Sequence, residues 1–135
     1  MILDKFLCTV AVALPIVSLF ALEAQAGCKQ WSAAGNFKMQ QGNGFKVRCN
    51  LTQPKGTIAG DCSTSTNTGE VEGTINSKGR FAMVVTWDKG DSVGEYTGVV
   101  NDDGDVEDGR TFDRAHPASW STWENTTSLK CTKED

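Results

Sequence analysis

The sequence predicts an all-β fold, an eight-stranded antiparallel up-and-down barrel with two disulfides, and three observations carry that prediction. Short runs of alternating apolar and polar residues, separated by clusters of Gly, Asn, Asp and Pro, recur about every 10 to 14 residues, and no helical period outlasts a turn. A Gly-x-apolar-x-Gly pattern repeats along the chain. Behind an apolar leader the cysteines form an even set, Cys28, Cys49, Cys62 and Cys131, as two bonds in an exported domain require.

Taken in order, the strands are expected at about 31–41, 45–51, 57–62, 70–76, 80–87, 93–100, 105–112 and 119–126. The connections are short. Gly42-Asn43-Gly44, Pro54-Lys55-Gly56, Ser77-Lys78-Gly79, Asp88-Lys89-Gly90-Asp91 and Asn101-Asp102-Asp103-Gly104 supply the preset or positive φ angles that hairpins use.

The glycine pattern argues for closure. Gly56-Thr-Ile58-Ala-Gly60, Gly69-Glu-Val71-Glu-Gly73 and Gly94-Glu-Tyr96-Thr-Gly98 share one form, and Gly104-Asp-Val106-Glu-Asp-Gly109 adds a residue to it. The second glycine of each falls inside a strand, where it weakens the ladder unless the sheet bends sharply or a bulky neighbour covers the backbone. Repeated strand glycines therefore point to a strongly coiled sheet. Left open, eight sequential strands without covering helices would expose two edges.

Alternation assigns the inside. Phe81, Met83, Val85 and Trp87 share a face, as do Phe45, Val47, Cys49 and Leu51, and Ile58, Gly60 and Cys62. The turn at Gln53-Pro54-Lys55-Gly56 tests this assignment. A type I turn with a glycine bulge would pair Gln53 with Thr57 and set Cys49 and Cys62 on opposite faces. The hydrophobic pattern instead needs Cys49 opposite Cys62, and it should prevail, because the one-residue slip would expose Ile58 and both thiols. That leaves Cys28 for Cys131. In a closed barrel this second bond would buckle the seam between first and last strands, and its long loop would contribute a few kcal/mol in the chain-entropy model.

Residues 6–22 run apolar behind Lys5 and end at Ala24-Gln25-Ala26, the layout of an export signal with a small-x-small cleavage site rather than of a membrane span. Residues 1–26 are expected to be that signal and 27–135 a single barrel domain, secreted or periplasmic after cleavage near Ala26. Removal of the signal also removes Cys8. A competing reading takes Gln25-Ala26-Gly27-Cys28 as a lipoprotein box, but the usual leucine is Gln25 here and lipidation of Cys28 would leave an odd set of thiols. Loss of Asp4, Lys5 and Glu23 moves the formal net charge from −4 to −3, with no basic cluster along the chain. Nucleic acid and anionic surfaces are thus not expected partners.

Trp31 with Gly35 and Phe37 behind it, the Phe81-x-x-Val84-x-x-Trp87 strand, Tyr96-Thr97-Gly98, and Trp120 with Trp123 together resemble the avidin-like and wider calycin group of small secreted barrels. The resemblance spans most of residues 27–135 and implies the fold. Biotin binding is not carried over, because the polar residues with which avidins hold biotin have no matching positions here. The Gly-x-Trp start of lipocalins is also missing, since Lys29-Gln30 precede Trp31. An immunoglobulin-like sandwich fits less well, because its tyrosine two places before the second cysteine would be Leu129.

No constellation for catalysis is visible. His116 is the single histidine, and a surface turn before Pro117 explains it more simply than acid–base work. The acidic run Asn101, Asp102, Asp103, Asp105, Glu107 and Asp108 matches no calcium loop and reads as a hairpin turn; no cofactor or metal is expected. Asn50 and Asn125 head glycosylation sequons, relevant only in a eukaryotic secretory route. The expected function is a non-catalytic binding barrel for a small molecule or glycan, with Trp87, Tyr96 and either Trp120 or Trp123 at one mouth and Arg110 or Asp113 as polar contacts. The rival is an interaction module, an inhibitor or surface component, with a filled barrel and protein contacts on loops such as 63–68 and 113–118. A cavity of roughly 300 Å³ would separate the two. Parity along the last strand places Trp123 beside Ser119 and Ser121 and Trp120 beside Thr122 and Glu124, so Trp123 is expected inside and Trp120 partly exposed.

Overall fold

A computed structural model describes residues 27–132; the expected export signal, residues 1–26, lies outside the described residues. Two short strands, β1 (Trp31–Ser32) and β10 (Lys130–Cys131), pair with each other. Between them, β2 (Gly35–Gln41), β3 (Lys46–Thr52), β4 (Thr57–Ser63), β5 (Thr68–Ile75), β6 (Arg80–Trp87), β7 (Val93–Val100), β8 (Val106–Asp113) and β9 (Ser121–Asn125) run in chain order and close into an antiparallel barrel. Closure is made where β9 meets β2, with Met39 opposite Asn125 and Gln40 opposite Glu124. Among the described residues the one helical feature is a 3-10 turn at Pro54–Gly56.

The expected first strand, 31–41, is in fact broken between β1 and β2. At the break the Gln53 side chain takes the place of a neighbouring strand: its Oε1 accepts from the Ala33 N–H at 2.6 Å and its Nε2 donates to the Trp31 carbonyl at 2.7 Å. Buried backbone groups that leave a sheet need such partners. Trp31, Ala33 and Leu129 join the core here, so the chain ends cover the barrel end formed by the β3–β4 and β7–β8 turns. The Cys28–Cys131 bond, with Cα atoms 5.8 Å apart, clasps β1 to β10 and does not cross the barrel seam as expected. Because that sulfur is bonded, Cys28 is not free to carry a lipid.

Inside the barrel, Cys49 stands opposite Cys62 and is bonded to it, and Leu51 faces Gly60, so the hydrophobic pattern sets the register rather than the bulged turn. Lys55 at φ 56° and Gly56 at φ 85° turn the chain to permit this. Phe37 and Phe81 stack at 5.9 Å, Trp123 meets Phe81 at 5.2 Å, and Met39, Ile58, Met83 and Val85 fill the space around them. Phe45 breaks the expectation. It is 56 % exposed, because β3 begins only at Lys46 and alternation beyond a strand end no longer implies cover.

The strand glycines sit where neighbouring backbone comes close. A Cβ at Gly60 would strike the Asn50 carbonyl, at Gly73 the Ala82 carbonyl, at Gly98 the Val106 side chain and at Gly109 the Trp123 carbonyl. The extra residue of the fourth repeat is a β-bulge: pairing runs from Thr97–Arg110 to Val99–Glu107, leaving one β7 residue against two of β8, and Asp108 adopts φ 54°. The bulge lets Gly109 lie directly against the Trp123 backbone.

On the outer face, pairing assembles what the linear sequence disperses. Lys38 lies opposite Arg48 and Gln40 opposite Lys46, a basic cluster that reading along the chain missed because cross-strand neighbours are distant in sequence. The outer wall carries charges and the inside is apolar, the reverse of a barrel that faces lipid. Among the described residues no helix is long and apolar enough to cross a membrane.

Candidate functional site

With one end of the barrel covered by β1 and β10, the other stays open. The β2–β3 turn, the 63–68 and 88–92 connections and the 113–120 loop surround it. Within lies a shallow bowl of about 170 Å³, lined by Gln41, Trp87, Tyr96, Thr111, Asp113 and Ser121 among others. Its volume falls short of the roughly 300 Å³ that ligand pockets begin at. Larger depressions, of about 560 and 390 Å³, lie on the outer wall instead.

Trp87 ends β6 half-buried, because it covers two glycines. A Cβ on Gly69 would lie 3.1 Å from its ring, and one on Gly94 would lie 3.2 Å from Nε1. Tyr96 forms the floor. Its hydroxyl accepts from Gln41 Nε2 at 2.7 Å, while burial pushes its pKa above the ordinary tyrosine value. Trp123 meets the Tyr96 ring edge-on at 5.8 Å and is 3 % exposed, so it supports the floor from below. Its Nε1–H is shared between the Thr97 and Arg110 carbonyls, at 3.0 and 3.1 Å.

Asp113 stands at the rim. The Ala115 N–H, which donates to it at 3.1 Å, is the main reason its pKa is lowered, with His116 Nδ1 3.5 Å away adding to the effect. His116 itself is exposed in the loop. The structure therefore brings Trp87, Tyr96 and Asp113 together at one mouth, with Trp123 beneath them. It does not bring in Trp120 and Arg110, which lie outside: Trp120 is 47 % exposed and the Arg110 guanidinium sits over its ring.

Sequence reasoning missed Gln41, Thr111 and Ser121, which bear no motif and become neighbours only when strand ends converge. It also missed Phe45 as a rim residue. The rim itself is built: Asn67 donates to the Lys89 carbonyl and accepts from the Lys89 N–H, each at 3.1 Å, joining the two connections, and Thr64 Oγ1 accepts from the Thr66 and Asn67 N–H groups.

The acidic run forms a capped turn, in which Asn101 Oδ1 accepts the N–H groups of Asp103 and Asp105. Among the described residues no group of three His, Cys, Asp or Glu is arranged to hold a metal ion. Of the two sequons, Asn50 lies exposed on β3, whereas the Asn125 amide is consumed by the fold. It accepts from the Val106 N–H and donates to the Gly104 and Thr127 carbonyls. No family model, curated protein or solved structure matches the chain.

Proposed function

We propose that the protein is an exported, non-catalytic interaction module that contacts its partner with the open mouth and its rim. The observation that carries this reading is the occupied interior: Phe37, Phe81, Tyr96 and Trp123 are ring-packed where a hollow barrel would hold a ligand. Contact then falls to the preorganised loops 63–68 and 113–118, with exposed Phe45 at the rim and Trp120 on the outer wall just beyond it as apolar anchors, and Asp113 as a charged one. Two disulfides suit an oxidising compartment, and the leader at residues 1–26 supplies the export route.

A second reading, a small sugar or other polar ligand seated in the bowl, is favoured by Trp87 lying beside hydroxyl, amide and carboxylate groups. One experiment separates the two. The purified protein is screened against arrayed glycans and arrayed extracellular proteins, alongside F45A/W120A and W87A variants. Capture of a protein lost only in F45A/W120A supports the rim, while glycan binding lost only in W87A supports the bowl. Binding untouched by either variant overturns the placement of function at this mouth.

A further inference from the structure

The outer wall of β2 and β3 differs from the mouth in its chemistry, and it runs down the outside of the barrel from the rim. Three cross-strand rungs face solvent there: Asn36 with Asn50, Lys38 with Arg48, and Gln40 with Lys46. Every rung is an amide or a cation, and none contains a carboxylate. Acids flank the ladder, Glu124 across Gln40 on β9 and Asp61 across Asn50 on β4. On the β4 side Asn36, Arg48 and Asn50 share the depression of about 560 Å³ with Asp61, Glu70 and Asp88, so the excess of cations lies toward Lys38 and Lys46. None of the three cations forms a salt bridge among the described residues, although Lys38 and Arg48 are direct cross-strand neighbours. Such like-charge pairs disfavour the fold slightly. In a chain of net charge −4 this is a local inversion of sign.

The rungs also border a depression of about 390 Å³, lined by Lys38, Gln40, Lys46, Arg48 and Thr126 among others. Alternate residues of a strand are roughly 6.8 Å apart, so the ladder presents donors over about 14 Å, an extended site rather than a point.

We propose that this wall binds an acidic polysaccharide, a glycan chain bearing carboxylate or sulfate groups. The cations meet the anionic groups, with the planar Arg48 fork able to engage a carboxylate through two hydrogen bonds. The amides of Asn36, Gln40 and Asn50 meet the hydroxyls between them, since each amide both donates and accepts. Other polyanions fit less well. The rungs hold no aromatic ring on which nucleic-acid bases would stack, and no apolar side chain to enter a lipid interface.

The test uses purified protein at low salt with four probes: polygalacturonate, neutral dextran, a single-stranded oligonucleotide, and vesicles containing phosphatidylserine. Polygalacturonate is expected to bind, to weaken as salt rises, and to bind about tenfold less well to K38Q/K46Q/R48Q, a loss in keeping with several exposed ion pairs. A charge-matched control, K55Q/K78Q/R80Q, is expected to retain binding, and matching thermal midpoints show that both variants fold. Equal loss in the two triple variants overturns the proposal, because net charge alone would then be responsible. Failure of polygalacturonate to bind, or tighter binding of the oligonucleotide or the vesicles, overturns it as well. F45A/W120A is expected to leave this binding unchanged, so failure here and failure of the mouth reading are distinguishable.

Discussion

The guanidinium of Arg110 lies 4.3 Å from the centroid of the Trp120 ring, on the outside of the barrel, while the Arg110 backbone carbonyl accepts a hydrogen bond from Trp123 on the inside. One residue of β8 thus touches both tryptophans of the last hairpin, one through its side chain and one through its main chain. The two rings should respond to truncation very differently.

Trp123→Ala removes a ring packed on Phe81 and Tyr96 and leaves two carbonyls without their donor, so a loss of about 3 to 5 kcal/mol is expected. Trp120→Ala forfeits only an exposed cation–π contact, of roughly 0.5–1 kcal/mol. Denaturant unfolding of the two variants checks this, and equal destabilisation would contradict the placement of both rings.

The bulge on β8 predicts two neighbouring substitutions of opposite sign. Gly109→Ala drives a methyl group into the Trp123 backbone and should cost about 1–3 kcal/mol. Asp108→Gly relieves a side chain held at positive φ and should be neutral or stabilising, by up to about 1 kcal/mol. Thermal midpoints of the pair are the measurement; a drop in both would mean that Asp108 contributes more than backbone geometry.

Tyr96 is the single tyrosine, so its ionisation can be followed alone by tyrosinate absorbance. Burial raises its pKa in the folded protein above the ordinary value of 10.0. The unfolded chain therefore ionises first, and stability is expected to be full below that ordinary value and to fall as pH climbs toward the folded pKa. Tyr96→Phe should abolish this alkaline loss. Titration of folded and denatured protein to a common midpoint would contradict the buried floor.

The two disulfides close loops of very different length, with sequence separations of 103 and 13. Chain entropy assigns about 5 kcal/mol to the longer and about 3 to the shorter. Cys28→Ser/Cys131→Ser should therefore lower the unfolding free energy by more than loop closure predicts for the Cys49–Cys62 bond. Non-reducing peptide mapping should recover the Cys28–Cys131 and Cys49–Cys62 pairs, and a Cys28–Cys49 peptide would refute the register.

Much of this architecture follows from local chemistry. Period-two alternation, turn residues at short intervals and the strand glycines determined eight barrel strands, because each property acts over a few residues. Register between β3 and β4, and with it the Cys49–Cys62 bond, was legible because a slip would have exposed an entire apolar face. The split between Trp123 inside and Trp120 outside was legible for the same reason.

Only the tertiary structure decided the rest. The break between β1 and β2 depends on Gln53 reaching back to Trp31 and Ala33, a contact that no local pattern announces. Exposure of Phe45 depends on where the barrel ends, and the bowl of Gln41, Trp87, Tyr96 and Thr111 exists only because separate strand ends converge. The basic ladder of Lys38, Lys46 and Arg48 likewise appears only when β2 and β3 pair. Alternation assigns each side chain a face, but which faces become neighbours is set by closure, and closure is a property of the whole sheet.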